Sequence, residues 1–191
     1  PSIVGGAGNF NPATMIADAY VYTVNGVAPC ASSSATVTVT VNAVANAGTS
    51  APLATCSNGA AVSLFAALGG TPQVGGAWSG PSPVVGGMYD PATMGPGPYV
   101  YTVTGTPPCA NATATITVTE NAPPNAGIDG NLTLCANSAP TSLIAQLGGG
   151  PAAGGTWSGP SIVGGAGNFN PATMIAGAYV YTLNGVVPCG S

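Results

Sequence analysis

A module of about 79 residues recurs along this chain of 191 residues. The sequence Pro-Ala-Thr-Met begins at Pro12, Pro91 and Pro171, and the sequence Trp-Ser-Gly-Pro begins at Trp78 and Trp157. A period of this length is longer than the units of helical or leucine-rich solenoids and corresponds to one small domain per copy. The sequence therefore predicts a tandem array of similar domains.

Two short segments, residues 42–48 and 121–127, occupy equivalent places in successive copies. Both segments break strands, so we expect them to be the joints between domains. The predicted parts are the C-terminal part of a repeat at 1–43, a complete repeat at 44–122, and a repeat that lacks its last strand at 123–191. Because the first 30 residues nearly repeat residues 160–189, we expect the sequence to be a window from a longer protein.

Charged side chains are almost absent. The chain has no Lys, Arg or His, and its four acids are Asp18, Asp90, Glu120 and Asp129. A chain without cations cannot neutralise phosphate groups, which excludes nucleic-acid binding and attraction to anionic lipids. No uninterrupted apolar run reaches about 18 residues, so we expect no membrane insertion.

The same composition argues against catalysis. General bases are usually His, Lys or a carboxylate with a tuned pKa, and the first two are absent. Asp90 is replaced by Asn11 and Asn170 in the other copies, and Glu120 by Val41, so no carboxylate pair recurs. We therefore expect no catalytic residue and no enzyme activity, with the acids serving as turn residues or solvated surface residues.

The five cysteines follow the repeat. Cys30, Cys109 and Cys189 each come after a proline, whereas Cys56 and Cys135 lie early in their copies. We predict one disulfide within each copy, Cys56 with Cys109 and Cys135 with Cys189, and a partner for Cys30 outside the window. Such bonds indicate an oxidising compartment and would stabilise a domain with a small core. With histidine absent and the cysteines paired, we expect no metal and no cofactor.

Apolar and hydroxyl residues alternate with the period of a half-buried strand. Strands with this pattern are predicted at 35–41 and 114–119, each after a strand that contains two tyrosines, at 20–24, 99–103 and 179–183. Further short strands are expected around Trp78 and at Met88-Tyr89. Residues 62–68 and 141–147 also suit a short helix, but their length and flanking glycines favour strands. Six or seven short strands per copy indicate an all-β fold with two packed sheets.

Trp78 and Trp157 allow two interpretations. A buried tryptophan packs near the disulfide in many β-sandwiches, and this is the first expectation. An exposed indole ring would instead offer a flat face to a sugar ring, which makes both residues candidate contacts for a polysaccharide.

The order of these landmarks resembles a known class of repeats. From Cys56 through Gly-Gly-Ala-Trp78-Ser-Gly, Tyr89-Asp-Pro-Ala and Tyr99-Val-Tyr101 to Pro-Cys109, the pattern is similar to immunoglobulin-like, PKD-like repeats. Such repeats occur in giant surface proteins that Bacteroidetes export by type IX secretion, gliding-motility adhesins among them. The resemblance implies tandem immunoglobulin-like β-sandwiches and an extracellular location at the cell surface.

These observations lead to one main hypothesis of function and two alternatives. The repeats are expected to be the structural stalk of a long extracellular filament or adhesin, in gliding motility or attachment, because similar copies recur without any site for chemistry. The alternatives are multivalent modules that bind a polysaccharide or a solid surface, and a spacer of a secreted enzyme. The expected partners are neighbouring repeats and, through an uncharged surface, other copies of the chain bundled laterally.

Overall fold

The computed structural model describes residues 8–164 and 167–190, and most of its regular structure is β-strand. The predicted all-β class is confirmed. The strands are β1 Ala19–Val24, β2 Ser33–Thr38, β3 Ala51–Cys56, β4 Val62–Ser63, β5 Ala77–Ser79, β6 Met88–Tyr89, β7 Gly97–Val103, β8 Ala112–Asn121, β9 Thr141–Ser142, β10 Thr156–Ser158, β11 Asn168–Phe169 and β12 Val180–Thr182.

Two short helical segments interrupt the strands, so the prediction of strands throughout 62–68 and 141–147 was wrong. Helix α1 covers Leu64–Ala67, and a 3-10 helix covers Ile144–Gln146. In the first case the Ser63 hydroxyl accepts a hydrogen bond from the amide of Ala66, as an N-cap residue does. The cap begins a helical turn that brings Leu64 into the core with no exposed surface.

The contacts divide the chain into two compact units. The first contains the chain up to Asn46 together with Val103–Ala112, and the second contains Ala47–Thr102 and the chain from Thr113 onwards. The loop that contains Cys109 is thus grouped with the residues of the preceding repeat, although it belongs to the second copy in sequence. The repeat boundaries at residues 43 and 122 stay a prediction.

Four strands of the complete second copy form one sheet, in the order β3-β8-β7-β5. Strand β3 runs parallel to β8, and β5 runs antiparallel to β7. Strands β4 and β6 form a separate two-stranded sheet. The long β8 is therefore an inner strand, with partners along both edges.

Buried side chains alternate with more exposed ones along β7 and β8, as their period of two predicted. The buried residues are Tyr99, Tyr101, Val103, Ala114, Ile116 and Val118. The rings of Tyr89, from the smaller sheet, and Tyr99 meet in a T-shaped arrangement with centroids 5.5 Å apart. Both tyrosines have no exposed surface, so the core of this copy lies where the two sheets meet.

In the first unit the same kind of strand is exposed. Strands β1 and β2 form an antiparallel hairpin, and all six residues of β2 are exposed. Val37 is 65% exposed, whereas its counterpart in the second copy, Ile116, is fully buried. The alternating pattern therefore predicts the strand, and the surrounding strands decide whether its apolar face is covered.

Candidate functional site at the joint between repeats

The end of the second repeat is fixed to the Pro-Cys loop of the third. The side-chain amide of Asn121, the last residue of β8, donates a hydrogen bond of 2.8 Å to the carbonyl oxygen of Val187. The sulfur of Cys189 lies 3.2 Å from the carbonyl oxygen of Asn121. One asparagine thus contacts the loop through both its side chain and its backbone.

A disulfide crosses this joint from Cys56 to Cys189. In the parallel pairing of β3 with β8, Cys56 lies opposite Asn121, the residue that contacts the loop. The two cysteine Cα atoms are 5.1 Å apart, a separation typical of disulfides. The bond therefore connects the first strand of one repeat to the last loop of the next.

The predicted pairing within each copy was wrong for both pairs. Cys109, the expected partner of Cys56, is a free thiol, and so is the exposed Cys135. The reason is where the Pro-Cys loop packs: the loop with Cys189 contacts the end of the preceding repeat. Cys30 is also free and exposed.

The same arrangement occurs within the first unit. The side-chain amide of Asn42 donates a 2.8 Å hydrogen bond to the carbonyl oxygen of Pro107, and the Cys109 thiol lies 3.6 Å from the Asn42 carbonyl oxygen. Asn42 and Asn121 occupy equivalent places in successive copies. Two joints thus share the hydrogen bond from the asparagine amide and the approach of a cysteine sulfur to the asparagine carbonyl oxygen, which makes this contact a property of the repeat.

The sequence patterns did not predict that the joint asparagines connect consecutive repeats. Asn42 and Asn121 were assigned only to strand-breaking segments, although each recurs directly after a Thr/Val strand. That recurrence is the signal that identifies them, because a surface loop residue has no need to keep its amide at a fixed place. The bond to a loop some 65 residues away is visible only in three dimensions.

Trp78 and Trp157 are half-buried and lie in equivalent positions against a tyrosine. The ring centroids of Trp78 and Tyr101 are 5.0 Å apart, and those of Trp157 and Tyr181 are also 5.0 Å apart. Each tyrosine hydroxyl is held by the backbone, as in the 2.7 Å hydrogen bond from Tyr101 to the carbonyl oxygen of Gln73. Part of each indole ring packs on the core, and a polysaccharide contact at these rings stays a prediction.

The glycines beside the tryptophan are required by close packing. A Cβ atom on Gly76 would overlap the ring of Tyr101, and one on Gly80 would overlap the ring of Tyr99. The corresponding glycines of the third copy, Gly155 and Gly159, meet the rings of its tyrosines in the same way. The recurrent Gly-Ala/Thr-Trp-Ser-Gly sequence is therefore explained by how the tyrosines pack.

Asp90 is a turn residue, as predicted. One of its carboxylate oxygens accepts a 3.0 Å hydrogen bond from the amide of Ala92. The side-chain oxygens of Asn11 and Asn170 accept the equivalent bond in the other copies, at 3.0 and 3.1 Å. An acceptor is what this turn needs at that position, so Asp and Asn serve equally well.

Glu120 does not have the solvated surface role that we expected. It is half-buried, and its carboxylate accepts a 2.6 Å hydrogen bond from the buried hydroxyl of Tyr89. Burial, together with this hydrogen bond and the negative charge of Glu120, raises the pKa of Tyr89 above its ordinary value. Glu120 thus completes the polar contacts of the core of the second copy.

The raised pKa of Tyr89 predicts a loss of stability in alkali. The unfolded chain releases the tyrosine proton near pH 10 and the folded chain holds it to higher pH, so folding stability is complete below about pH 10 and falls above it. We expect Tyr89→Phe to flatten this decline in urea denaturation between about pH 9 and about pH 11. Tyr22→Phe, at a tyrosine that is 73% exposed, is the matched control. An equally steep decline in Tyr89→Phe would contradict the assignment.

No group of three or more metal-ligating side chains is found among residues 8–164 and 167–190. In the same part of the chain, none of the helices has the length and apolarity needed to cross a bilayer. Comparison with known proteins gives no match, whether to protein-family models, to curated proteins or to solved structures.

Proposed function

We propose that each repeat is an immunoglobulin-like β-sandwich. A tyrosine near the start of β7 supports this, because the Tyr99 hydroxyl donates a 2.6 Å hydrogen bond to the carbonyl oxygen of Gly95, four residues earlier. This is the geometry of the tyrosine corner of such domains. Tyr20 and Tyr179 make the equivalent bonds in the other copies, at 2.6 and 2.7 Å.

We further propose that the repeats form the structural stalk of an extracellular filament or adhesin at the cell surface, in gliding motility or attachment. The observation that supports this best is the joint: its asparagine contacts occur at both Asn42 and Asn121, and the joint at Asn121 also has a disulfide between consecutive repeats. The bond carries tension directly between Cys56 and Cys189, so the residues of the two repeats that lie between them are not stretched when the chain is pulled. Stable disulfides are also typical of secreted proteins.

The surface chemistry supports lateral association as a second property of the stalk. The chain has a formal net charge of −4 over 191 residues, and several branched apolar side chains are largely exposed. With little repulsion between copies, parallel filaments can pack side by side. The expected role of the repeats is mechanical, and we assign them no catalytic step.

Immunogold electron microscopy of intact cells tests this proposal. An antibody raised against the 191-residue protein is expected to label thin surface threads at many points along their length, without permeabilisation. Labelling confined to the cell interior, or to compact particles, would contradict a surface stalk. Cells that lack the protein are the control.

A further inference from the structure

The second repeat has a cleft beside the indole ring of Trp78. The cleft has a volume of about 450 Å³, which lies within the range of sites that bind small molecules. Every lining residue belongs to this repeat, whose inner strand β8 is in place, and within the described part of the chain no charged side chain lines the cleft. The lining includes Phe65, Val74, Gly75, Trp78, Gly87 and Tyr101.

The indole N–H of Trp78 is the hydrogen-bond donor that this cleft offers to a ligand. Among residues 8–164 and 167–190 it donates to no protein acceptor, and no buried side-chain nitrogen there lacks a partner, so this N–H is accessible to solvent. The other polar side chain of the lining is already bonded: the Tyr101 hydroxyl donates to the carbonyl oxygen of Gln73 and accepts from the amide of Gly76. A ligand in the cleft therefore meets an aromatic ring with a free donor at its edge.

A glycine lies beside the indole N–H in both copies that contain the tryptophan. Gly87 has a φ of +71°, and a Cβ atom on it would lie 3.6 Å from the indole nitrogen of Trp78. Gly167 has a φ of +64°, and its Cβ would lie 3.0 Å from the indole nitrogen of Trp157. Both glycines are in the left-handed region, which other residues rarely adopt, so no side chain covers the polar edge of either tryptophan from this position.

The apolar walls of the cleft differ between copies, whereas its ring and glycines do not. Phe65 and Val74 are replaced by Ile144 and Ala153 in the third repeat, but the tryptophan keeps its 5.0 Å contact with a tyrosine. A site for a proline-rich peptide depends on an aromatic-lined groove with apolar walls, whereas a sugar ring needs a flat ring and hydrogen-bonding groups. The parts that recur are therefore those that a sugar ring uses.

We propose that the cleft at Trp78 binds a neutral β-linked glucan. The rings of such a glucan have equatorial substituents, so their faces present axial C–H groups that stack on the part of the indole that Tyr101 does not cover. A sugar hydroxyl accepts the hydrogen bond from the indole N–H. The glucan is uncharged, because a chain with no Lys, Arg or His and a formal net charge of −4 has no cation to pair with a carboxylate or sulfate group. This binding role goes beyond the stalk and does not depend on it.

Titration of cellohexaose into the isotope-labelled Trp157→Phe protein, followed by NMR, tests the proposal. Trp78 is then the single tryptophan, so the spectrum has one indole N–H signal. We expect this signal to shift until it saturates, and the β-1,4-linked glucuronate hexamer, which has the same rings with added carboxylates, to bind at least about fivefold more weakly. An unchanged indole signal, equal affinity for the two hexamers, or a shift with decaproline and none with cellohexaose would overturn the proposal.

Two asparagine variants of the same protein locate the binding site. Gly87→Asn adds a side chain next to the indole N–H, in a backbone conformation that asparagine tolerates, and should weaken cellohexaose binding at least about tenfold. Gly150→Asn is the matched control, because this glycine also has a positive φ, has open space around its Cβ and does not line the cleft; it should leave the affinity unchanged. A dispersed amide spectrum verifies that each variant is folded. Undiminished binding by folded Gly87→Asn protein would overturn the proposal, since the glucan would then bind elsewhere.

Discussion

The oxidised protein, pulled from its two ends, is expected to unfold to a chain about 45 nm shorter than the reduced protein. The Cys56–Cys189 disulfide spans a sequence separation of 133 residues. While the bond is intact the residues inside this loop cannot be extended, and each would otherwise add about 3.5 Å. Single-molecule force spectroscopy measures the hidden length as a difference in contour length.

Two serine variants distinguish this pairing from one within each copy. Cys56→Ser should remove the hidden length even in oxidised protein, whereas Cys135→Ser should leave it unchanged, because Cys135 is free and exposed. Pairing within copies would instead hide two loops of about 50 residues, about 18 nm each, and Cys135→Ser would remove one of them. Peptide mapping without reduction, which should recover Cys56 joined to Cys189, is an independent check.

Ile116→Ala is expected to lower the free energy of unfolding by about 2 to 5 kcal/mol. Ile116 has no exposed surface and lies on β8, the inner strand that pairs with both β3 and β7. Truncation removes apolar contacts on the core side and leaves a cavity that neighbouring strands on both edges prevent from closing. Urea denaturation followed by tyrosine and tryptophan fluorescence measures the loss.

The neighbouring residue and the equivalent residue of another copy are matched controls for this variant. Thr117→Ala changes an exposed residue of the same strand and should cost less than about 1 kcal/mol. Val37→Ala removes the counterpart of Ile116 from the first copy, where it is 65% exposed, and should cost equally little. Similar losses in Ile116→Ala and Thr117→Ala would mean that β8 does not present alternate residues to the core.

Local patterns predicted most of the strands. Alternation of threonine with apolar residues identified β2 and β8, and the tyrosine pairs identified β7. These predictions succeed because the period of two follows from the geometry of an extended chain and needs no knowledge of neighbours. For α1 the strand was preferred to the short helix, because the helix begins at a single hydrogen bond, from the amide of Ala66 to the hydroxyl of Ser63, that the apolar pattern does not reveal.

The roles of the acidic residues could be predicted only where their contacts are local in sequence. Asp90 and Glu120 both looked like replaceable surface residues, since sister copies have Asn or Val in their place. The local turn at Asp90 bears this out, but Glu120 lies against a buried tyrosine 31 residues earlier in the chain. A contact of that kind becomes visible in the sequence only when two positions are compared together across copies.

By itself the sequence determined the period of the array, the all-β class, the inward face of β7 and β8, and the set of cysteines available for pairing. It could not determine which cysteines pair, because cysteines that recur with one period are compatible with disulfides inside a copy and between copies alike. The tertiary structure decided this, since the Pro-Cys loop packs against the asparagine that ends the preceding repeat and so brings Cys189 to Cys56. A disulfide forms only where two Cα atoms come within about 7 Å, and that distance is set by packing between repeats.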